Sequence, residues 1–177
     1  MDFEKSRKSA LRELSESLDN ISQKESGEFL ERLLESRRVF VVGAGRSILM
    51  LRAFAKRLRH LGIESYVVGE TVTPPIGKGD LLVAASGSGK TTSVISTVKL
   101  AGRHKAGVVF ITAAPSPSLK RMADLTVTIP GLSTSSQLMA SLFEQTLLLF
   151  CDSVCLVLKD RLKISEMQMR KNHANLE

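Results

Sequence analysis

The chain has 177 residues, and 25 Lys and Arg against 18 Asp and Glu leave a formal net charge of +7, with a pI near 9.7. A hydrophobic fraction of 43% is enough to bury a core, which excludes a disordered chain despite the charge, and the length suits one domain. Unbroken apolar runs reach no more than five residues, as at 81–85 and 147–151, against roughly 20 for a bilayer span; the opening MDFEKSRKS lacks a secretory apolar core, so we expect no membrane partner and a cytoplasmic location.

In chain order, Leu11, Leu14, Leu18 and Ile21 mark the apolar stripe of a first helix over 3–20. Ser22-Gln23-Lys24-Glu25 reads as a capping box that opens a second helix burying Phe29, Leu30, Leu33 and Leu34. From Val39 the pattern changes to short apolar runs that end in glycines, as expected for strands buried on both faces. Strands are predicted at 39–45, 65–70, 80–89 (running into a glycine turn), 108–115 and 124–131, with helices over 47–62, 90–107 and 116–123 between them. A long helix from about Ser141 to Lys159 and a short one over 165–171 close the chain. Alternating strands and helices imply a parallel sheet, so the expected fold is α/β: a three-layer α/β/α sandwich with five strands in the flavodoxin-like order 2-1-3-4-5. The expected organisation is a single domain over 1–177, with N-terminal helices at 1–37, an α/β core at 38–131 and C-terminal helices and tail at 141–177.

Cys151 and Cys155 stand four apart on one helical face. That spacing puts Cβ atoms about 5–6 Å apart against about 3.8 Å in a disulfide, so both are expected to be buried thiols in a reducing compartment. The basic excess lies in the body of the chain, because residues 1–38 hold nine acids and eight bases. Arg46, Arg52, Lys56, Arg57 and Arg59 form its densest stretch. With aromatics at 5% and no Trp there is little for bases to stack on, so this stretch reads as a solvated helix face and no nucleic-acid partner is expected.

Two glycine turns fall at strand ends. Gly43-Ala44-Gly45-Arg46-Ser47 begins like a dinucleotide fingerprint but carries Ile48 at the third glycine position, and Ser86-Gly87-Ser88-Gly89-Lys90-Thr91 ends like a P-loop but has Ala84, inside a strand, at the first. The second turn suits a phosphate monoester instead. Its glycines let backbone N–H groups converge, Ser86, Ser88 and Thr91 supply hydroxyls, and a helix N-terminus follows. Ser47 can approach from the neighbouring strand end.

These turns, together with RLRHLG at 57–62, VGETVTP at 68–74, SLFEQ at 141–145 and the ending HANLE at 173–177, resemble the SIS-domain (sugar isomerase) family and, within it, its 6-phospho-3-hexuloisomerase branch. The resemblance spans nearly the whole chain. It departs from the family at Ile48, at Lys90 where Glu is frequent, and at Leu138-Met139-Ala140 where Pro-Met-Gly is usual.

The resemblance implies interconversion of D-arabino-hex-3-ulose 6-phosphate and D-fructose 6-phosphate through a cis-enediol(ate), with no metal or organic cofactor. Such chemistry needs a base that carries one proton between adjacent carbons and groups that stabilise the enediolate oxygens. Glu144, flanked by Leu142, Phe143, Leu147 and Leu148, is the implied base. His60 and His173 are implied proton donors, the latter reaching a site in its own or a neighbouring chain. Arg46 is expected to assist Ser47, Ser86, Gly87, Ser88 and Thr91 at the phosphate, and Glu70, Thr71 and Thr73 to meet sugar hydroxyls. The alternatives are another SIS isomerase acting on a pentose or heptose phosphate, and a non-catalytic sugar-phosphate sensor. The long C-terminal helix is apolar nearly all round and must be covered on most sides, so a homo-oligomer is expected, a tetramer by resemblance, with a small sugar phosphate as ligand.

Overall fold

The structure, a computed structural model, describes residues 2–176; Met1 and Glu177, the latter the end of the HANLE segment, lie outside the described residues. Five strands pair in parallel in the order β2-β1-β3-β4-β5: β1 (Val39–Val42), β2 (Ser65–Val67), β3 (Leu81–Ala85), β4 (Gly107–Thr112) and β5 (Leu125–Thr128). That is the expected sheet. Continuous apolar runs such as Leu82, Val83 and Ala84 are buried throughout because helices cover both faces.

One face carries α2 (Gln23–Glu35), α3 (Arg46–His60) and α6 (Ser141–Arg161), and the other α4 (Thr92–Arg103) and α5 (Pro117–Met122). On the first face Phe29 packs at 6.1 Å from Phe54 and 5.9 Å from Phe150, ring centre to ring centre. On the second, Phe40 and Phe110 meet Val94, Val98 and Leu119. Two further helices, α1 (Phe3–Asp19) and α7 (Glu166–Lys171), flank this body, α1 lying against α6 and α7 against α3.

Two local expectations are corrected. Leu11 is 60% exposed, and the buried positions of α1 are Glu13 and Ser17, one helical turn apart. Ser22 does cap α2, accepting from the Glu25 amide, but the Glu25 carboxylate does not return to Ser22: its Oε2 accepts from the Thr128 amide at 2.9 Å, tying α2 to β5. Helix α6 is, by length and composition, apolar enough to cross a membrane, although Asp152 and Ser153 interrupt its apolar runs. Its buried side chains, from Leu142 to Leu158, face α3 and the sheet. Cys151 and Cys155 are buried free thiols; burial pushes the Cys155 thiol up to about 12 and that of Cys151 well above its ordinary value, so neither is a ready nucleophile.

At the opposite edge of the sheet, where the strands begin, Asp80 holds the chain. It accepts from Arg37 at 3.1 and 3.2 Å, from Arg38 at 3.1 and 2.7 Å and from the Gly77 amide at 2.9 Å. Burial alone would raise its pKa; these five donors outweigh it and bring the value to about 2.

Candidate functional site

Parallel pairing puts every strand's carboxyl end on one edge. Because β1 and β3 are neighbours while the chain leaves β1 for α3 and β2 before reaching β3, this pair marks the point where strand order reverses, the usual place for a ligand. The two glycine turns therefore emerge side by side. Gly45, at φ 56 and ψ −134, caps α3 in a conformation that only glycine adopts readily. Gly89 has φ +64, and a Cβ there would sit 2.7 Å from Leu119 and 3.0 Å from the Ala114 carbonyl oxygen.

Within the second turn Ser86 is buried and shares a 2.8 Å hydrogen bond with the Thr91 hydroxyl. The Ser88 hydroxyl accepts from the Lys90 amide at 3.2 Å, and Ser88 and Lys90 are exposed. Thr91 precedes α4 without capping it through its side chain, so the first-turn N–H groups of α4 remain available to an anion. Thr112 braces the turn, donating to the Gly87 carbonyl at 3.4 Å.

Glu144 lies in the first turn of α6 and is 7% exposed. Its Oε2 accepts from Arg46 Nε at 2.5 Å, joining the first turns of α3 and α6. The adjacent Phe143 ring lies 3.2 Å from where a Cβ on Gly87 would stand. This glycine lets the α6 terminus rest directly on the serine-glycine turn. The structure thus brings Arg46, Ser47, Ser86, Gly87 and Thr91 to the end of the molecule that carries Glu144. Arg46 is expected at the phosphate, but here its guanidinium rests on the carboxylate.

The loop after β2 is placed less simply. Glu70 and Thr71 are exposed, and Glu70 forms an ion pair with Arg52 at 3.5 Å. Thr73 donates its hydroxyl to the Val67 carbonyl at 2.7 Å, closing its own turn.

The histidines stand elsewhere. His60 is the last residue of α3, and at 1.5 Å per residue the helix separates it by about 20 Å from Ser47. His173 stacks on it, with ring centres 4.9 Å apart and planes 21° apart, and Asn172 donates to the His60 carbonyl at 3.1 Å. The pair borders a cavity of about 900 Å³ between α3, α6 and the tail, where Arg57, Asp152, Lys159 and Glu166 also meet. Within one chain, His60 and His173 come together, and neither meets Glu144.

Sequence reasoning missed the contribution of α1. The segment between β5 and α6 contains a short 3-10 turn, Leu132–Thr134, and Leu132 touches the Gly87 position at 3.6 Å. That segment is tied to Glu13 and Ser17, whose i,i+4 spacing on an otherwise mixed helix was the available signal.

The SIS domain profile matches residues 32–151. A 3-hexulose-6-phosphate isomerase of Bacillus subtilis is 41% identical over 175 residues, covering 94% of this chain and 95% of the relative. One of Mycobacterium gastri is 36% identical over 172 residues, covering 93% and 86%. Among solved structures, a Methanococcus jannaschii protein whose crystal structure led to the inference of 3-hexulose-6-phosphate isomerase activity superimposes with a TM-score of 0.89 at 31% identity, over 98% of this chain and 99% of that one.

Proposed function

The chain belongs to the SIS domain family as a 3-hexulose-6-phosphate isomerase, and from that premise we propose that Glu144 is the base that moves a proton between two carbons of D-arabino-hex-3-ulose 6-phosphate to give D-fructose 6-phosphate. The supporting observation is the placing of one buried carboxylate at a helix start that rests on a phosphate-suited turn. The ester sits on the amides of 87–89 and the start of α4, with Ser47, Ser86, Ser88 and Thr91 donating hydroxyls. Glu144 takes the proton from C2 as the C2–C3 enediolate forms, then returns it to C3, leaving the carbonyl at C2. A second proton passes from the C2 oxygen to the C3 oxygen, a task suited to imidazole. Arg46 directs the carboxylate and balances the phosphate charge as it enters, with Glu70, Thr71 and Thr73 towards the sugar hydroxyls.

The roughly 20 Å of helix between Ser47 and His60 keeps His60 and His173 away from Glu144 of the same chain, so the proposal places them at the site of a neighbouring copy. Apolar side chains left outside on α6, Leu156 at 69% exposure together with Leu149 and Val157, support association, and a tetramer is the proposed form, with the ribulose monophosphate route of formaldehyde assimilation as its setting and the cytoplasm as its compartment. Elution of the purified protein at about its monomer mass of 19.3 kDa would sink this part.

The test is a coupled assay in which fructose 6-phosphate formed from hexulose 6-phosphate is oxidised by a dehydrogenase. Glu144→Gln is expected to lower kcat by about 10³-fold, within the range of one general base. Undiminished turnover would remove Glu144 as the base. Binding without turnover by the unaltered protein would favour the sensor reading.

A further inference from the structure

Glu13 is 8% exposed on α1, and among the described residues its hydrogen-bonding partners include no cation. A buried carboxylate is costly unless its lone pairs are satisfied. Here the donors come mostly from one segment more than 120 residues away: Ser135 Oγ and Ser136 Oγ, each at 2.6 Å, the Ser136 amide at 3.1 Å and Gln137 Nε2 at 3.4 Å, with Ser9 Oγ from its own helix at 3.5 Å. One turn along, Ser17 donates to the Pro130 carbonyl at 2.7 Å and accepts from Thr146 at 3.2 Å.

Both ends of the 130–137 segment are thus pinned to α1, and so is the second turn of α6. The segment reaches the site at two places. Leu132 packs against the Gly87 position of the phosphate turn, and the chain runs from Gln137 directly into the helix start that bears Glu144. Helix α1 lies outside residues 32–151 matched to the SIS domain, so this bracing comes from the chain's own lead.

We propose that Glu13 is a positioning residue for the isomerisation, its carboxylate fixing the 135–137 segment and thereby the placing of the Glu144 carboxylate against the serine-glycine turn. This rests on Glu144 being the base. The substrate does not touch Glu13, which acts through main chain it holds. Displacing a reacting group by about 1 Å costs on the order of a hundredfold in rate, so the effect belongs in kcat. A merely stabilising role would alter the folded fraction and leave turnover per folded molecule unchanged.

The experiment uses the full chain with Glu13→Gln, Glu13→Asp, the pair Ser135→Ala/Ser136→Ala, and all three changes Glu13→Gln/Ser135→Ala/Ser136→Ala together. Turnover per folded molecule and amide exchange over 130–148 are measured. Glu13→Gln is expected to lower kcat ten- to hundredfold with KM changed less than threefold, and Glu13→Asp to recover part of it. The triple variant should be no worse than Glu13→Gln, because the groups act as one unit. Exchange over 130–148 should quicken while β3 and β4 stay protected. A kcat within twofold of the unaltered protein, additive losses, or unchanged exchange over 130–148 would overturn the proposal. If the unaltered protein binds fructose 6-phosphate without turnover, the Glu144 reading falls by itself. Calorimetric affinity and exchange then decide for Glu13: quickened exchange with weakened binding upholds its hold on the segment, and no change in either removes it.

Discussion

The two ends of α3 are built from different materials. At its start, Arg46 and Ser47 stand with two glycine turns, a buried carboxylate from α6 and hydroxyls that bond one another. At its finish, His60 stacks on a histidine from the last residues of the chain beside an open cavity. The first end is over-determined, each group fixed by at least one strand or helix terminus. At the second, among the described residues, the His173 ring stacks on His60 and the Asn172 side-chain amide donates to the His60 carbonyl, with the tail around them exposed. A helix about 20 Å long couples the two rigidly, so one chain cannot fold them onto the same substrate. The contrast is between an end where two glycine turns meet a buried carboxylate and an end where two histidine rings border an open cavity.

The largest expected effect tests that division directly. Glu144→Gln and His60→Asn are each expected to be nearly inactive. Unfolded and refolded together, they should regain about a quarter of full activity per site, the statistical share of sites receiving both intact residues in a closed homo-oligomer. Mixtures as inactive as their parents would show that the two ends do not serve one site, and an active His60→Asn would remove the histidine from the chemistry.

Next in size, Gly89→Ala strikes the phosphate end alone. It combines a left-handed backbone with a close approach to Leu119 and the Ala114 carbonyl, and should cost on the order of 3 kcal/mol in urea unfolding and abolish substrate binding. A loss below about 0.5 kcal/mol would contradict the turn's geometry.

Acid distinguishes the edges differently. Hydrogen bonds from Ser135 and Ser136 bring Glu13 from 4.5 to about 2, and the arginines with Gly77 bring Asp80 from 3.8 to about 2 against burial. Both are depressed, so both contribute stability that is complete above the unfolded values and lost as pH falls towards 2. Urea midpoints should therefore decline between about pH 4.5 and pH 2, and Glu13→Gln or Asp80→Asn should each flatten part of that decline. Parallel curves in all three proteins would refute it.

The smallest effect lies just before α6, between the two departures from the family at Leu138 and Ala140. Met139 holds φ 51 without being glycine and is almost wholly exposed. Met139→Gly should raise stability by about 1 kcal/mol or slightly less by relieving the left-handed backbone, measurable as a higher urea midpoint. A lower midpoint would mean that the side chain has a partner in the assembly.

Much of the phosphate end was legible in the sequence. Strands reveal themselves through unbroken apolar runs, turns through glycine, and the order 2-1-3-4-5 through alternation of strand and helix. The burial of Glu144 was legible from its apolar neighbours. The misreadings share a cause. Periodicity places Leu11 inward because it identifies a stripe without saying what will face it; α1 meets a loop rich in hydroxyls, so Glu13 and Ser17 turn inward instead. Local spacing pairs Glu25 with Ser22, three residues away, whereas its carboxylate takes the Thr128 amide.

The sequence by itself determined what is local: element types, the glycines that permit the turns, the hydroxyls, and a family signature carried by short segments. These follow from backbone sterics and side-chain period, which act over a few residues. Only the tertiary structure decided that Glu13 braces a segment 122 residues away, that Arg46 rests on Glu144, and that the histidines lie a helix length from both. Such pairings depend on how packed layers set helix ends against one another, and no interval along the chain encodes that distance.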